Sequence, residues 1–290
     1  NFYRLKADIN GICIELFSEN KDFIDMWSDN FYHMSDYVRS HGRIYCINDG
    51  SGLRAEYDVS TFTIFLYDFD YYGWIKSVAL GLAGNILEQQ HHVFSVHGAA
   101  IDIDGRGVTL IAPSKTGKTT QSWGLLRMDN SHLISDDWYF VQFGNGRPRI
   151  TGSEKNCYID ADIGDVWDEY KDLVKGVKFD NKGRGIGNVR WVRGEGSVIP
   201  KTAMSLIILL NRDHDDPNVV RELSVQEAVD YLAEHDFCNP HQLIRDERSL
   251  GLRRSFYERY LSECSVYMVN TILPAKDTQQ RIREIVIKNL

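Results

Sequence analysis

Eight residues, Ala112-Pro-Ser-Lys-Thr-Gly-Lys-Thr119, constrain this chain more than any other stretch. They lie between an apolar run, Val108 to Ile111, and a segment that reads as helix from Thr119 to Met128. The pattern G-x-x-x-x-G-K-[ST] is met everywhere except at its first position, where Ala112 stands in place of glycine. Gly117 can take backbone angles closed to residues with a side chain. Successive N–H groups can then turn inward and form an anion hole at the start of the helix. In such a loop Lys118 reaches the β- and γ-phosphates of a nucleotide, and the Thr119 hydroxyl is a Mg²⁺ ligand. Pro113, Ser114, Lys115, Thr116 and Thr120 complete the candidate nucleotide cradle. Strand before and helix after place the loop in an α/β fold, a mixed sheet with flanking helices.

Composition narrows the partners. The chain has 290 residues, enough for one or two domains, and 43% apolar with 26% charged content is ordinary for a globular protein. No apolar run approaches the roughly 20 residues of a membrane span, and the N-terminus carries no charged-then-apolar signal pattern. A cytoplasmic protein without membrane contact is expected. Cys13, Cys46, Cys157, Cys238 and Cys264 are scattered without a C-x-x-C pair, which argues against a disulfide framework or a zinc site. A formal charge of −8 argues against a nucleic-acid partner.

In chain order, residues 1–70 read as a small β-rich N-terminal unit and residues 71–290 as the domain that carries the loop. Tyr3 to Ala7 and Ile12 to Phe17 flank Asn10-Gly11, a hairpin signal. Ser18 is placed to cap a helix bearing Phe23, Met26 and Trp27 on one face. Strands follow at Arg43 to Ile47 and Leu53 to Val59, joined across Asp49-Gly50-Ser51-Gly52, and at Thr61 to Tyr67. Trp74, Ile75, Val78, Ala79, Leu82, Ala83 and Ile86 then recur at helical spacing. Gly81 and Gly84 on that helix would let it approach another element closely. Val93 to Ile103 reads as one strand, His132 to Ser135 as a short strand ending in Asp136-Asp137, and Tyr139 to Phe143 as a hairpin partner of Arg149 to Thr151. A helix is expected over Asp162 to Lys175, and a long glycine-rich basic loop over Phe179 to Pro200. Arg184, Arg190 and Arg193 in that loop are candidates for contacts to phosphate or substrate. Ala203 to Leu210 and Val266 to Ile272 read as buried strands. Helices are expected from a Ser224/Glu227 capping box to Ala233, over Leu250 to Leu261 and over Thr278 to Ile287.

Phosphoryl transfer requires a phosphate cradle, a divalent metal and a group that positions the attacking hydroxyl or takes its proton. Asp136-Asp137 follow the loop by one helix, at the end of a strand expected to lie beside it in a parallel sheet. One carboxylate can bind metal while the other accepts the substrate proton. His97, within Ser95-Val-His-Gly-Ala-Ala100, lies on the strand that leads by a tight turn into the loop strand.

His97-Gly98, the turn at Gly105 to Gly107, the loop, and Leu133-Ile-Ser-Asp-Asp137 together resemble the kinase core of the HPr kinase/phosphorylase family, over about residues 93 to 143. Its superfamily includes ATP-dependent phosphoenolpyruvate carboxykinases. The resemblance implies that His97 and Asp136 lie at the transfer centre, with Asp136 as general base. It also implies Lys118 on the phosphates, Thr119 on Mg²⁺, and Asp137 supporting the metal. Three features depart from the family pattern: Ala112 stands where the family's loop usually starts with glycine, Thr120 stands where an acidic residue follows the loop, and Lys182-Gly-Arg-Gly-Ile-Gly-Asn188 only partly echoes the later signature E-x-R-G-x-G-x-x-N. The expected activity is an ATP·Mg²⁺-dependent kinase acting on a hydroxyl, on a serine of a peptide or protein or on a small metabolite. The alternatives are a non-catalytic or regulatory nucleotide-binding module and a carboxykinase-like enzyme. The N-terminal unit is the expected place for substrate specificity or for homo-oligomer contacts.

Overall fold

A computed structural model describes residues 1–239 and 241–290. The N-terminal part consists of β1 (Tyr3–Ile9), β2 (Ile12–Ser18), α1 (Lys21–Asn30), β3 (Tyr32–His33), β4 (Gly42–Ile47), β5 (Arg54–Asp58) and β6 (Thr63–Tyr67). Its six strands form one sheet in the order β3-β1-β2-β4-β6-β5. The Asn10-Gly11 turn closes the β1–β2 hairpin, with Ile9 opposite Ile12 and both turn residues at positive φ. Two local expectations are corrected. Asn20, not Ser18, caps α1, because its side chain accepts from the Asp22 N–H while Ser18 Oγ is turned onto Asn20. β4 and β5 are not partners, since β6 inserts between them, parallel to β4 and antiparallel to β5.

Next comes α2 (Tyr72–His91), a 20-residue helix with buried residues around most of its circumference. It is covered on two sides, as such a helix must be. Toward the first sheet, Leu82 packs so closely on Gly42 that a Cβ there would lie 2.8 Å from Leu82 Cδ2. Toward the second sheet, Gly81 and Gly84 make close approaches to the His241 carbonyl and to Ser95.

The remaining elements are β7 (Phe94–His97), β8 (Ala99–Ile103), β9 (Arg106–Ile111), α3 (Lys118–Leu125), β10 (Ser131–Ser135), β11 (Trp138–Gln142), β12 (Arg149–Gly152) and β13 (Cys157–Asp160). After them come α4 (Ile163–Val166), α5 (Lys171–Lys175), β14 (Arg184–Gly187), α6 (Arg190–Arg193), β15 (Lys201–Asn211), β16 (Val220–Glu222), α7 (Val225–Glu234), α8 (Glu247–Ser262), β17 (Ser265–Asn270) and α9 (Ala275–Asn289). Nine strands form a second sheet along the path β10-β8-β9-β15-β12-β11-β7, with β17 on β15 and β16 on β17. β9, β15 and β17 are parallel neighbours. β15 is its central strand: Leu206, Ile208 and Leu210 join one core with α3 and α9, and Ile207 and Leu209 join another with α7 and α8. That alternation follows from the strand period of two with helices on both faces. The structure is α/β, with mixed sheet, flanking helices and a β-rich sheet ahead of them. Among the described residues no helix is long and apolar enough to cross a membrane.

Three further expectations change. Val93 to Ile103 is two strands, because the chain turns at Gly98 from pairing with β11 to pairing with β9 and β10. The helix expected over 162–175 is broken into α4, a single 3₁₀ turn and α5. The basic segment 179–200 is structured: β14 pairs with β13 and α6 follows.

Candidate active site

The loop sits at the C-terminal end of β9, beside the ends of β15 and β17, where ligands of open α/β sheets bind. Gly117 has φ +91 and directly precedes α3, and Lys115 is also at positive φ, so two turns in the left-handed region curl the loop. Thr116 Oγ1 donates to the Pro113 carbonyl, and Thr271 Oγ1 donates to the Thr116 carbonyl, both at 2.8 Å, which anchors the loop to the end of β17. A cleft of about 540 Å³ opens over it, lined among others by Lys118, Thr119, His97, Lys76, Asp137 and Arg184.

Asp137 is the centre of this cleft. It occupies the two-residue corner between β10 and β11 and accepts at one oxygen from Lys118 Nζ (2.7 Å), with His97 Nε2 3.1 Å from that same oxygen. Lys76 Nζ donates to the other oxygen at 3.0 Å. Burial works against its charge, but Lys118, Lys76 and His97 outweigh it and hold the carboxyl well below the ordinary aspartate range. His97 is oriented from its far side, where Nδ1 donates to the Cys238 carbonyl. Gly98 makes the corner possible: its N–H donates to the Asp137 carbonyl at 2.9 Å, and a Cβ would lie 2.9 Å from the Leu110 carbonyl oxygen.

Asp136 is placed differently from the sequence expectation. It is 5% exposed and belongs to the layer beneath the cleft, while Asp137 lines the cleft itself. Burial first, and then the neighbouring Glu154 charge, push the Asp136 carboxyl up, with Lys76 only partly opposing. The physical reason for the different burial of the two aspartates is local. β10 carries a register shift between Leu133 and Ser135, and Ser135 Oγ bridges to the Trp138 carbonyl, so the aspartates form a corner instead of continuing a strand. β10 also pairs with β8, and β8 separates it from the loop strand β9, so the expected adjacency is replaced by a side-chain bridge from Lys118 to Asp137.

Of the three arginines, Arg184 comes to the cleft, held by Asp160 through Nε (2.7 Å) and Nη2 (3.1 Å). Arg190 is drawn away to the Lys155 carbonyl and the Tyr32 hydroxyl, and Arg193 to Ser131 Oγ. Neither lines the cleft.

Sequence reading missed four side chains. Lys76 is buried in α2 and bridges Asp137 to Glu154 (3.3 Å), and both carboxylates, after overcoming burial, raise its pKa above the ordinary lysine range. Glu154 in turn accepts from Asn30 Nδ2 (2.9 Å), whose Oδ1 accepts from the Tyr72 hydroxyl, so a hydrogen-bonded relay runs from α1 to the cleft. His241 stands edge-on to His97 at 5.5 Å between ring centres, and burial followed by the His97 charge lowers its pKa to about 4. Arg212, after β15, approaches the loop from its other side, with Nη2 3.6 Å from a Cβ built on Gly117. Asp236, Phe237 and Cys238 lie consecutively at positive φ (54°, 52°, 53°), a strained turn of about 1–3 kcal/mol per residue that carries the carbonyl holding His97.

The donor set suits a divalent cation of the Mg²⁺ kind, which takes one or two carboxylates and leaves its other positions to phosphate and water. Thr119, Asp137 and Asp160 all line the cleft. Among the described residues no three His, Cys, Asp or Glu side chains form a ready metal cage. All five cysteines are free, four of them buried.

No family model and no curated protein matches the chain. Among solved structures it is similar to the HPr(Ser) kinase/phosphatase from Coxiella burnetii, at 16% identity and a TM-score of 0.37, over 67% of this chain and 97% of that one.

Proposed function

We propose that this chain is an HPr kinase/phosphorylase-like enzyme that transfers the γ-phosphoryl group of ATP to a hydroxyl, on a serine of a peptide or protein or on a small hydroxylated metabolite. One observation carries the reading: Lys118 of the phosphate loop, Asp137 and His97 meet within 3.1 Å contacts in a single cleft. A triphosphate in the loop competes for the Lys118 ammonium. As Lys118 turns to the phosphates, Asp137 loses its nearest cation and becomes more basic, while Lys76 and His97 keep it in place. It can then accept the proton of an incoming hydroxyl. Asp137 therefore takes the general-base role that the family resemblance implies for Asp136, and buried Asp136 supports the Lys76 network from below. Mg²⁺ held by Thr119 with a cleft carboxylate would neutralise charge on the transferring phosphoryl group. Arg184 and Arg212, on two sides of the loop, are the further cations available to phosphate oxygens.

The test is γ-³²P transfer from ATP·Mg²⁺ into a lysate of the source cell, separated into macromolecules and small metabolites. Label is expected in one fraction. Asp137→Asn should lower transfer by about 10²-fold or more while ATP still binds, and Asp136→Asn should lower it less. Lys118→Ala should lose nucleotide binding. Transfer at the parental rate in Asp137→Asn would remove the role assigned to that carboxylate. Tight ATP binding with no label in any fraction would favour a non-catalytic module instead.

A further inference from the structure

Beside the phosphate cleft lies a groove of about 410 Å³ between α1 and the segment from Gly176 to Trp191. Its floor is apolar, with Phe23, Phe179 and Ile186. Trp191 stands at its edge, 61% exposed. A Cβ on Gly176 would lie 3.2 Å from Cζ3 of that indole, so the ring is braced on backbone while much of its surface faces water. Five aspartates, Asp22, Asp25, Asp29, Asp70 and Asp180, line the same groove against a single lysine, Lys178. We propose that this groove docks a lysine or arginine side chain of a peptide or protein whose hydroxyl enters the phosphate cleft, an assignment that rests, for the acceptor, on the kinase reading above.

The lining selects a cation on an apolar stem. Aromatic faces and carboxylates attract an ammonium or guanidinium, and the alkyl stem covers the floor. The protein does not supply that cation itself. Among the described residues no lysine or arginine lies over Phe23, Phe179 or Trp191, whereas in the adjoining cleft Lys182 lies over Tyr71 and Arg184 over Tyr158. Asp25 is paired with Lys21, and Asp180 is occupied by the Tyr158 hydroxyl and two backbone N–H groups. Asp22 and Asp29 are bonded only through backbone atoms, and neither they nor Asp70 have an ion-pair partner among the described residues. Asp29 stands in the last turn of α1, where the helix dipole disfavours a carboxylate and no basic residue offsets it. A carboxylate kept there, on the edge of an apolar groove, fits a visiting cation.

Groove and cleft share a wall, which ties the cation to the acceptor. Tyr71 lines the cleft and Tyr72 the groove; on β14, Arg184 lines the cleft and Ile186 the groove. From the cleft side, the Tyr158 hydroxyl donates to Asp180 of the groove at 2.9 Å. Residues two apart on a strand are separated by about 7 Å. A ligand with its cation in the groove and its hydroxyl in the cleft spans at least that distance. About two to five residues of extended peptide cover it, and a compact amino alcohol does not.

The test measures binding by the intact chain without nucleotide, so its result does not depend on phosphoryl transfer. Short glycine/alanine peptides carry one serine and one arginine at separations of about one to five residues in either order. Control peptides carry glutamine in place of arginine. Affinity is measured by calorimetry, and the Trp191 indole N–H is followed by NMR. At one separation or more, the arginine peptide should bind at least tenfold tighter than its control and shift the Trp191 signal. Asp29→Asn combined with Asp70→Asn should cut that preference at least fivefold, and so should Trp191→Ala. The double aspartate variant should melt no lower than the parent, because neither carboxylate has an ion-pair partner to lose, and this separates loss of a cation contact from loss of fold. Equal binding of arginine and glutamine peptides at every separation would overturn the proposal. Agmatine binding as tightly as the best peptide would overturn the peptide as occupant in favour of a free amine. A preference that survives both variants would overturn the location. With ATP·Mg²⁺ added, an arginine peptide that binds but takes up no ³²P would leave the docked cation standing and count against the kinase reading. Equal transfer into arginine and glutamine peptides would overturn the groove and leave the kinase reading standing.

Discussion

Replacing Lys76 by methionine tests the buried charge network most directly. The ammonium lies 3.0 Å from Asp137 and 3.3 Å from Glu154, and its side chain is 4% exposed. At an effective dielectric constant near 20, each contact corresponds to about 5 kcal/mol of gross attraction. Most of that offsets desolvation, so the net loss on removing one partner of such a pair is about 3–5 kcal/mol. For a chain of 290 residues, an unfolding entropy of about 2.1 cal/mol/K per residue converts this to a fall of about 5–8 °C in Tm. The pH dependence gives a second readout. Burial already raises the folded-state pKa values of Asp136 and Glu154 above their unfolded values. A carboxyl raised in this way is favourable to folding below its unfolded pKa, and that contribution is lost as pH rises through the folded pKa. Without Lys76 the raising is larger, so the deficit of Lys76→Met should shrink as pH falls from 7 to about 5. Thermal melts of the parent, Lys76→Met, Glu154→Gln and the double variant, at both pH values, make the measurement. The double variant should melt above the sum of the single losses, because it no longer carries the uncompensated Glu154 charge. A Lys76→Met protein that melts within 1 °C of the parent at pH 7, or strictly additive losses, would refute the reasoning.

Other perturbations follow from single contacts. Gly81→Ala would place a Cβ 2.6 Å from the His241 carbonyl oxygen, so a loss of about 1–3 kcal/mol is expected in denaturant melts, despite the better helix propensity of alanine. His241 should titrate near pH 4 by NMR, and it makes folding less favourable as pH falls from its unfolded value through that point, since the unfolded chain binds the proton first. Asn20→Ala removes the cap of α1 and should cost about 1 kcal/mol, whereas Ser18→Ala should cost less.

The parts of the site on the loop and on the strands directly before and after it were legible in the sequence. Strand, loop and helix are contiguous, and His97 and the aspartate pair are spaced around them in the order the chemistry needs. Which aspartate faces the cleft was not legible, because a register shift in β10 and the Ser135 bridge decide it, and neither has a sequence signal. Lys76 looked like a polar interruption in an apolar helix. Its meaning depends on Asp137 and Glu154, 61 and 78 residues further along the chain. Arg190 and Arg193 share composition with Arg184, but β14 carries Arg184 toward the cleft while the short α6 turns the other two toward β3 and β10. Tertiary contact, not local pattern, made those distinctions.

The placement of α2 bears on how small a working fragment can be. Cutting the chain at residue 70 would look natural from the break between the two sheets. It would uncover the flank of α2 that holds Ile75, Ala79 and Leu82, and it would remove Asn30, the side chain that steadies Glu154 under Lys76. A minimal version therefore needs the first sheet, or an apolar-to-polar redesign of that flank together with a replacement donor for Glu154.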